Sequence, residues 1–169
     1  MQVAQRGTSA TVSDGSNEGY STVDRFRLDY NSAVGGAIDM SQSSDAPDGF
    51  GSSLKLQCST TNTSFSTTDA VLLSQRIEAQ NLQSLGYGSS GAKDITISWY
   101  MKAVTFSGPI TLALETRDGT GEFYVKNYSP TTSWVRYTCV VPASTSATIN
   151  NDSGEGMFVK FVLAGSSGG

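Results

Sequence analysis

Histidine is absent from this 169-residue chain. That removes the side chain that titrates near neutral pH, the commonest metal ligand, and every Ser-His or Cys-His nucleophile. Cysteine is nearly absent: Cys58 and Cys139 are the only two, too few for the common zinc sites when no histidine can join them. Charge is scarce, at 15% of residues, and the net charge is −4. The 11 Lys and Arg are scattered, so no basic stripe offers itself to nucleic acid. No apolar run approaches the ~20 residues that a helix needs to span a bilayer, so membrane insertion is not expected. The polar opening MQVAQRGTSA has no signal-peptide character. Proline is limited to 4 residues while glycine reaches 18. With many Ser and Thr besides, that composition suits short strands joined by polar turns.

What is present is alternation. Between Asp94 and Ala103, Ile95, Ile97, Trp99 and Met101 interleave with Thr96, Ser98, Tyr100 and Lys102. A period of two places one set on a core face, so the stretch predicts a strand about which the rest is organised, with Trp99 in the core. The same pattern predicts strands at 24–30, 37–41, 53–58, 71–78, 109–117, 122–128, 134–141 and 156–164. Leu82 and Leu85 fit one or two helical turns over 79–85. Arg117-Asp118-Gly119-Thr120 carries the Asp-Gly signal of a tight hairpin. The expected fold class is all-β: an antiparallel two-sheet sandwich, a jelly roll, with at most one short helix. Residues 1–23 read as an extended N-terminal arm with one short strand, 24–165 as the sandwich domain, and 166–169 as a flexible end.

The candidate chemistry is sparse. Cys58 and Cys139 each fall in line with inward-looking neighbours, which reads as two small core thiols, with a disulfide as the alternative. The carboxylate pairs Asp45/Asp48, Glu115/Glu122 and Asp152/Glu155 read as solvated turn charges rather than a glycosidase pair, and no enzyme is expected. Asn151, Asp152 and Glu155 are oxygen donors in a Gly-bearing loop, the composition that calcium uses, without EF-hand spacing; no other cofactor is expected. Tyr100, Trp134 and Tyr128 are candidates for stacking on a sugar, with Tyr87, Phe123 and Tyr124 as further aromatic rings. Tyr100, opposite Trp99, reads either as a contact for a ligand or another chain, or as packed under a loop. Arg76 and Glu78, two residues apart, predict an ion pair with a neighbouring strand.

Several stretches in fixed order carry a resemblance: Gln5-Arg6-Gly7-Thr8-Ser9, Asp24-Arg25-Phe26, Ala46-Pro47-Asp48-Gly49-Phe50, Ser53-Leu54-Lys55-Leu56, Gln75-Arg76-Ile77-Glu78, Ile95 through Ala103, Ser133-Trp134 and Phe161-Val162-Leu163-Ala164-Gly165-Ser166. On these the chain resembles a carbohydrate-binding-like jelly-roll module of structural proteins from marine tailed bacteriophages. The resemblance implies a virion component, a tail fibre or capsid decoration, assembled in the host cytoplasm. It implies other virion proteins as partners and a homo-oligomer, by analogy with fibres a trimer. A bacterial surface glycan is the alternative partner. No catalytic residue is carried over. Members of that group usually extend beyond both ends of the matching stretches, so the chain reads as a short version or as a piece.

Overall fold

The computed structural model describes residues 1–31 and 35–165; the expected flexible end at 166–169 lies outside the described residues. The strands are β1 (Ser9–Ser13), β2 (Arg27–Asn31), β3 (Ala37–Ser43), β4 (Ser53–Thr60), β5 (Ala70–Glu78), β6 (Ile95–Met101), β7 (Ile110–Thr116), β8 (Phe123–Tyr128), β9 (Val135–Val141) and β10 (Glu155–Gly165). A 3-10 helix over Ala79–Leu85 occupies the stretch where helical turns were expected. The fold is all-β, with antiparallel sheets in a sandwich-like arrangement and no barrel among the described residues. The sheet orders are β1-β3-β4, β2-β5-β10-β7-β8 and β6-β9. The chain divides into two compact units, Met1–Ser74 with Phe161–Gly169, and Gln75–Lys160, where one sandwich domain was expected. Strands β5 and β10 contribute residues to both.

In the first unit, Val12 of β1 and Met40 of β3 meet Leu28 and Tyr30 of β2 and Val71 and Leu73 of β5 in one buried cluster, with Val23 beside them. Burying each such aliphatic side chain contributes about 1.5–3 kcal/mol. The Tyr30 hydroxyl donates to the Val12 carbonyl at 3.0 Å, so its polar end is satisfied inside the cluster. Residues 1–23 are therefore folded into this unit rather than extended from it. Strand β1 pairs antiparallel with β3, Ala10 opposite Met40 and Val12 opposite Ile38, and Val12 and Val23 are sealed from solvent. The Ser and Thr around Val12 hide that anchoring from a search for apolar periodicity.

Strand β2 begins three residues later than the alternation predicts, because Arg25 takes a left-handed φ of 71°. Its wet face carries an ion pair between Arg27 and Asp29, 2.6 Å apart. On β4 the expected inward row fails at Cys58. Residues 57–60 are all exposed, since the strand outruns the core beyond Leu56, and Cys58 lies in solvent while Cys139 is buried. Both thiols are free, so the disulfide alternative is not realised.

In the second unit, β6 and β9 pair in register, Ile95 opposite Val141, Ile97 opposite Cys139 and Trp99 opposite Tyr137. The expected alternation on β6 is present: Ile95, Ile97, Trp99 and Met101 are covered more than their neighbours. They are half-buried, however, and the buried residues of this unit include Leu112, Leu114, Cys139, Val141 and Met157. Among the described residues β6 pairs with β9 alone, and the most regular strand is not the most buried.

The opposite face of β7 and β10 has its own packing. Phe158 is only 8% exposed, and the cationic groups of Arg76, Arg117 and Lys160 lie 4.6, 4.6 and 5.1 Å from its ring centroid. Glu115, buried on β7, binds Lys160 and Arg117, and Glu155 binds Arg76. The Arg76 pair to a neighbouring strand is the one expected, with Glu155 as the partner. Glu115 is not a solvated turn charge. It lies on β7 one strand from Lys160, and the cations that cover Phe158 are what make its burial tolerable.

The Asp118-Gly119 pair does not close a two-residue hairpin. The link from β7 to β8 runs over residues 117–122, closed by hydrogen bonds between Thr116 and Glu122. Both Asp118 carboxylate oxygens instead accept from Asn150, from its backbone N at 2.9 Å and from Nδ2 at 3.1 Å, which draws the turn toward the loop before β10.

Candidate functional site

The three expected sugar-stacking residues do not form one platform. Tyr128 packs inside the second unit, its ring 4.9 Å edge-on from Trp99 and 5.6 Å from Tyr137, and its hydroxyl donates to the Thr138 carbonyl at 3.4 Å. Desolvation, then the Cys139 thiol, raises the pKa of its phenol. Tyr100 points to the other face of β6, 40% exposed and opposite Arg136 on β9. Trp134 is half-buried just ahead of β9, with the Lys102 ammonium 5.2 Å from its ring centroid.

Two of the three expected calcium ligands, Asp152 and Glu155, are engaged otherwise. Asp152 Oδ1 accepts the Gly154 N–H at 2.8 Å, and the carbonyls of Asp152 and Gly154 accept the first N–H groups of the 3-10 helix, from Gln80 and Ala79, each at 2.9 Å. Glu155 is paired with Arg76, and Asn151 is exposed. Among the described residues no group of three or more His, Cys, Asp or Glu could hold a metal ion. The loop braces the helix. The tightest contact beside it is at Gly156, at the start of β10, where a Cβ would lie 2.5 Å from the Cα of Ala79.

A different constellation does assemble, wholly within the second unit. A cleft of about 220 Å³ is lined by Tyr87, Phe123 and Tyr124, by Glu122, Thr116 and Ser144, and at its base by Leu114, Val141 and Met157. Each wall has a local cause. The link between β7 and β8 ends at Glu122, placing Phe123 and Tyr124 at the mouth and interior. Pro142 cannot continue the ladder of β9, so the chain turns into Ala143 and Ser144. Tyr87 arrives because Gly88 N–H donates to the Ser144 carbonyl at 3.1 Å; a Cβ on Gly88 would lie 2.9 Å from the Ala147 carbonyl oxygen.

Two carboxylates, Glu122 in the lining and Asp94 beyond it, act on the cleft. The Ser144 and Ser146 hydroxyls hold the Glu122 carboxyl below its ordinary pKa, with Ser146 Oγ at 2.6 Å from Oε1. Ser144 Oγ in turn accepts the backbone N–H groups of Ala147 and Ser146 at 2.8 and 3.2 Å, which orients its proton toward the carboxylate. Asp94 adds a second negative charge near Tyr87 while its Oδ1 accepts the Ala143 N–H at 2.8 Å. Burial, then the charges of Asp94 and Glu122, raises the Tyr87 pKa. Tyr124 at the inner end accepts a long hydrogen bond from the Cys139 thiol, 3.7 Å.

Tyr87, Phe123 and Tyr124 were legible as spare aromatics. The partnership of Glu122 with Ser144 was not, since 22 positions separate them and no local pattern says which loop stands beside which. The turn signal at Pro142 marked only that a loop begins there. No protein-family model matches the chain, and no curated protein matches it.

Proposed function

We propose that this chain is a non-catalytic structural module of a tailed-bacteriophage virion, assembled in the host cytoplasm. In that role it contributes to particle assembly, stability or host-surface attachment, with other virion proteins and further copies of itself as partners. The support is the ordered set of resembling stretches together with the β-sandwich fold. One observation carries the assembly role: Val125, an apolar side chain 60% exposed, lies on β8, which ends its sheet. An edge strand with apolar side chains and open backbone groups is a template for another chain. Light scattering on the purified chain is expected to give a homo-oligomer, a trimer by the fibre analogy, and Val125→Lys is expected to reduce it to monomer. A wild-type monomer at high concentration counts against the assembly role. Immunogold labelling of intact particles gives the location, and unlabelled particles would remove the virion role.

A second function, recognition of a bacterial surface glycan, is favoured by the aromatic cleft around Glu122. Binding on a glycan array that is lost in Phe123→Ala supports it. Loss in Tyr100→Ala or Trp134→Ala with Phe123→Ala unaffected moves the glycan to the outer face of β6. An array without signal removes it.

A further inference from the structure

We propose that the cleft lined by Tyr87, Phe123 and Glu122 binds the ammonium group of an amino sugar. This rests on the glycan-recognition reading and names the group on the sugar that the cleft selects. The Glu122 carboxylate is held by the hydroxyls of Ser144 and Ser146, and no cation is paired with it among the described residues. Hydroxyl donors orient a carboxylate without cancelling its charge, so the site keeps that negative charge. Asp94 reinforces it, its charge acting on Tyr87 from beyond the cleft lining. Burial is the larger cause of the raised Tyr87 pKa; the charges of Asp94 and Glu122 add to it, and those two charges favour a cation in the same place.

The walls point the same way. Tyr87, Phe123 and Tyr124 supply aromatic surface, and an aromatic ring attracts a cation placed over its face. An ammonium also offers the carboxylate a charge-assisted hydrogen bond, about twice as strong as a neutral one. At about 220 Å³ the cleft is smaller than the ~300–1,000 Å³ of sites for drug-sized ligands, so it admits one ring or head group rather than a chain. Acetylation of the amine would remove the charge and set a carbonyl against a carboxylate. The site is also pre-formed: Gly88 is tied to Ser144, and Ser144 to Ala147, so little ordering is left for binding to cost.

The test is a titration of the full chain, followed through backbone amide shifts. It is run near pH 6, where both the amine and the carboxylate are ionised. The probes are glucosamine, N-acetylglucosamine, glucose and Nα-acetyl-lysine methylamide. Glucosamine is expected to shift the amides of Glu122, Phe123 and Ser144 saturably, about tenfold or more tighter than either neutral sugar. Glu122→Gln, which keeps shape and loses charge, is expected to remove that advantage, and its own spectrum reports whether it is folded. Equal binding of N-acetylglucosamine or glucose, or an unchanged Kd in Glu122→Gln, overturns the proposal. Binding of the lysine amide as tight as that of glucosamine overturns the sugar as the source of the ammonium. If the wild type binds glycans on an array and Glu122→Gln binds them equally, glycan recognition stands and this site falls; a silent array with no glucosamine shifts brings down both.

Discussion

Glu115 on β7 and Lys160 on β10 are bound carboxylate to ammonium beneath the surface, and Arg117 closes on the second Glu115 oxygen. Burial alone would raise the pKa of Glu115; the hydrogen bonds and charges of Lys160 and Arg117 outweigh it, and the net pKa is lowered. A carboxylate with a depressed folded pKa stabilises the fold above its unfolded pKa, and that stability is lost as pH falls through the folded value. Glu115→Gln leaves two cations facing a neutral amide and is expected to cost about 2 kcal/mol at pH 7, less than a fully buried pair because Arg117 is 41% exposed. In urea titrations the gap between wild type and variant should begin to narrow as pH falls through about 4.3 and close below the folded pKa. A gap that persists unchanged at low pH would mean the residue acts through packing alone.

The Tyr30 phenol is pushed up to about 12, chiefly by burial, then by repulsion from Cys58. A group with a raised folded pKa contributes stability that is present below its unfolded pKa, about 10, and disappears as pH rises toward the folded value. Thermal melts across that alkaline window should fall in the wild type and fall less in Tyr30→Phe. At neutral pH the same variant should be about 1 kcal/mol less stable, because the Val12 carbonyl loses its donor.

Gly156→Ala sets a methyl group 2.5 Å from the Ala79 Cα and 2.8 Å from its Cβ. Backbone must move, and a loss of about 2–4 kcal/mol is expected by chemical denaturation. Adding Ala79→Gly should restore only part of it, since the new methyl group still collides with the backbone of residue 79. Full rescue would show that the Ala79 methyl group alone decides the fit.

Cys58 is exposed and Cys139 is buried on β9. A thiol-reactive chromophore should therefore label one equivalent at once and the second only on unfolding. Cys58→Ser should abolish the fast phase and leave the slow one. Two fast equivalents in the wild type would show that β9 opens readily.

Much of this molecule was written locally. Alternation of period two is a property of neighbouring residues, so the strands, the 3-10 helix over 79–85 and the ion pair of Arg76 with another strand could be expected from order alone. Trp99 shows the limit. Its strand is the most regular in the chain, yet that regularity says nothing of how many strands lie on either side, and β6 has only β9 beside it among the described residues. Val12 shows the converse, a single apolar residue among Ser and Thr that becomes fully buried because β3 pairs with its strand and Leu28 and Tyr30 pack against it.

The cleft belongs to the tertiary structure altogether. Tyr87, Glu122 and Ser144 come from three separate loops, and what joins them is a few backbone hydrogen bonds and a turn forced by Pro142. Side-chain pattern determines which face of each strand avoids water, because that preference acts residue by residue. Which strands become neighbours, and so which loops share an end of the sheet, is settled only when all those faces are buried at once.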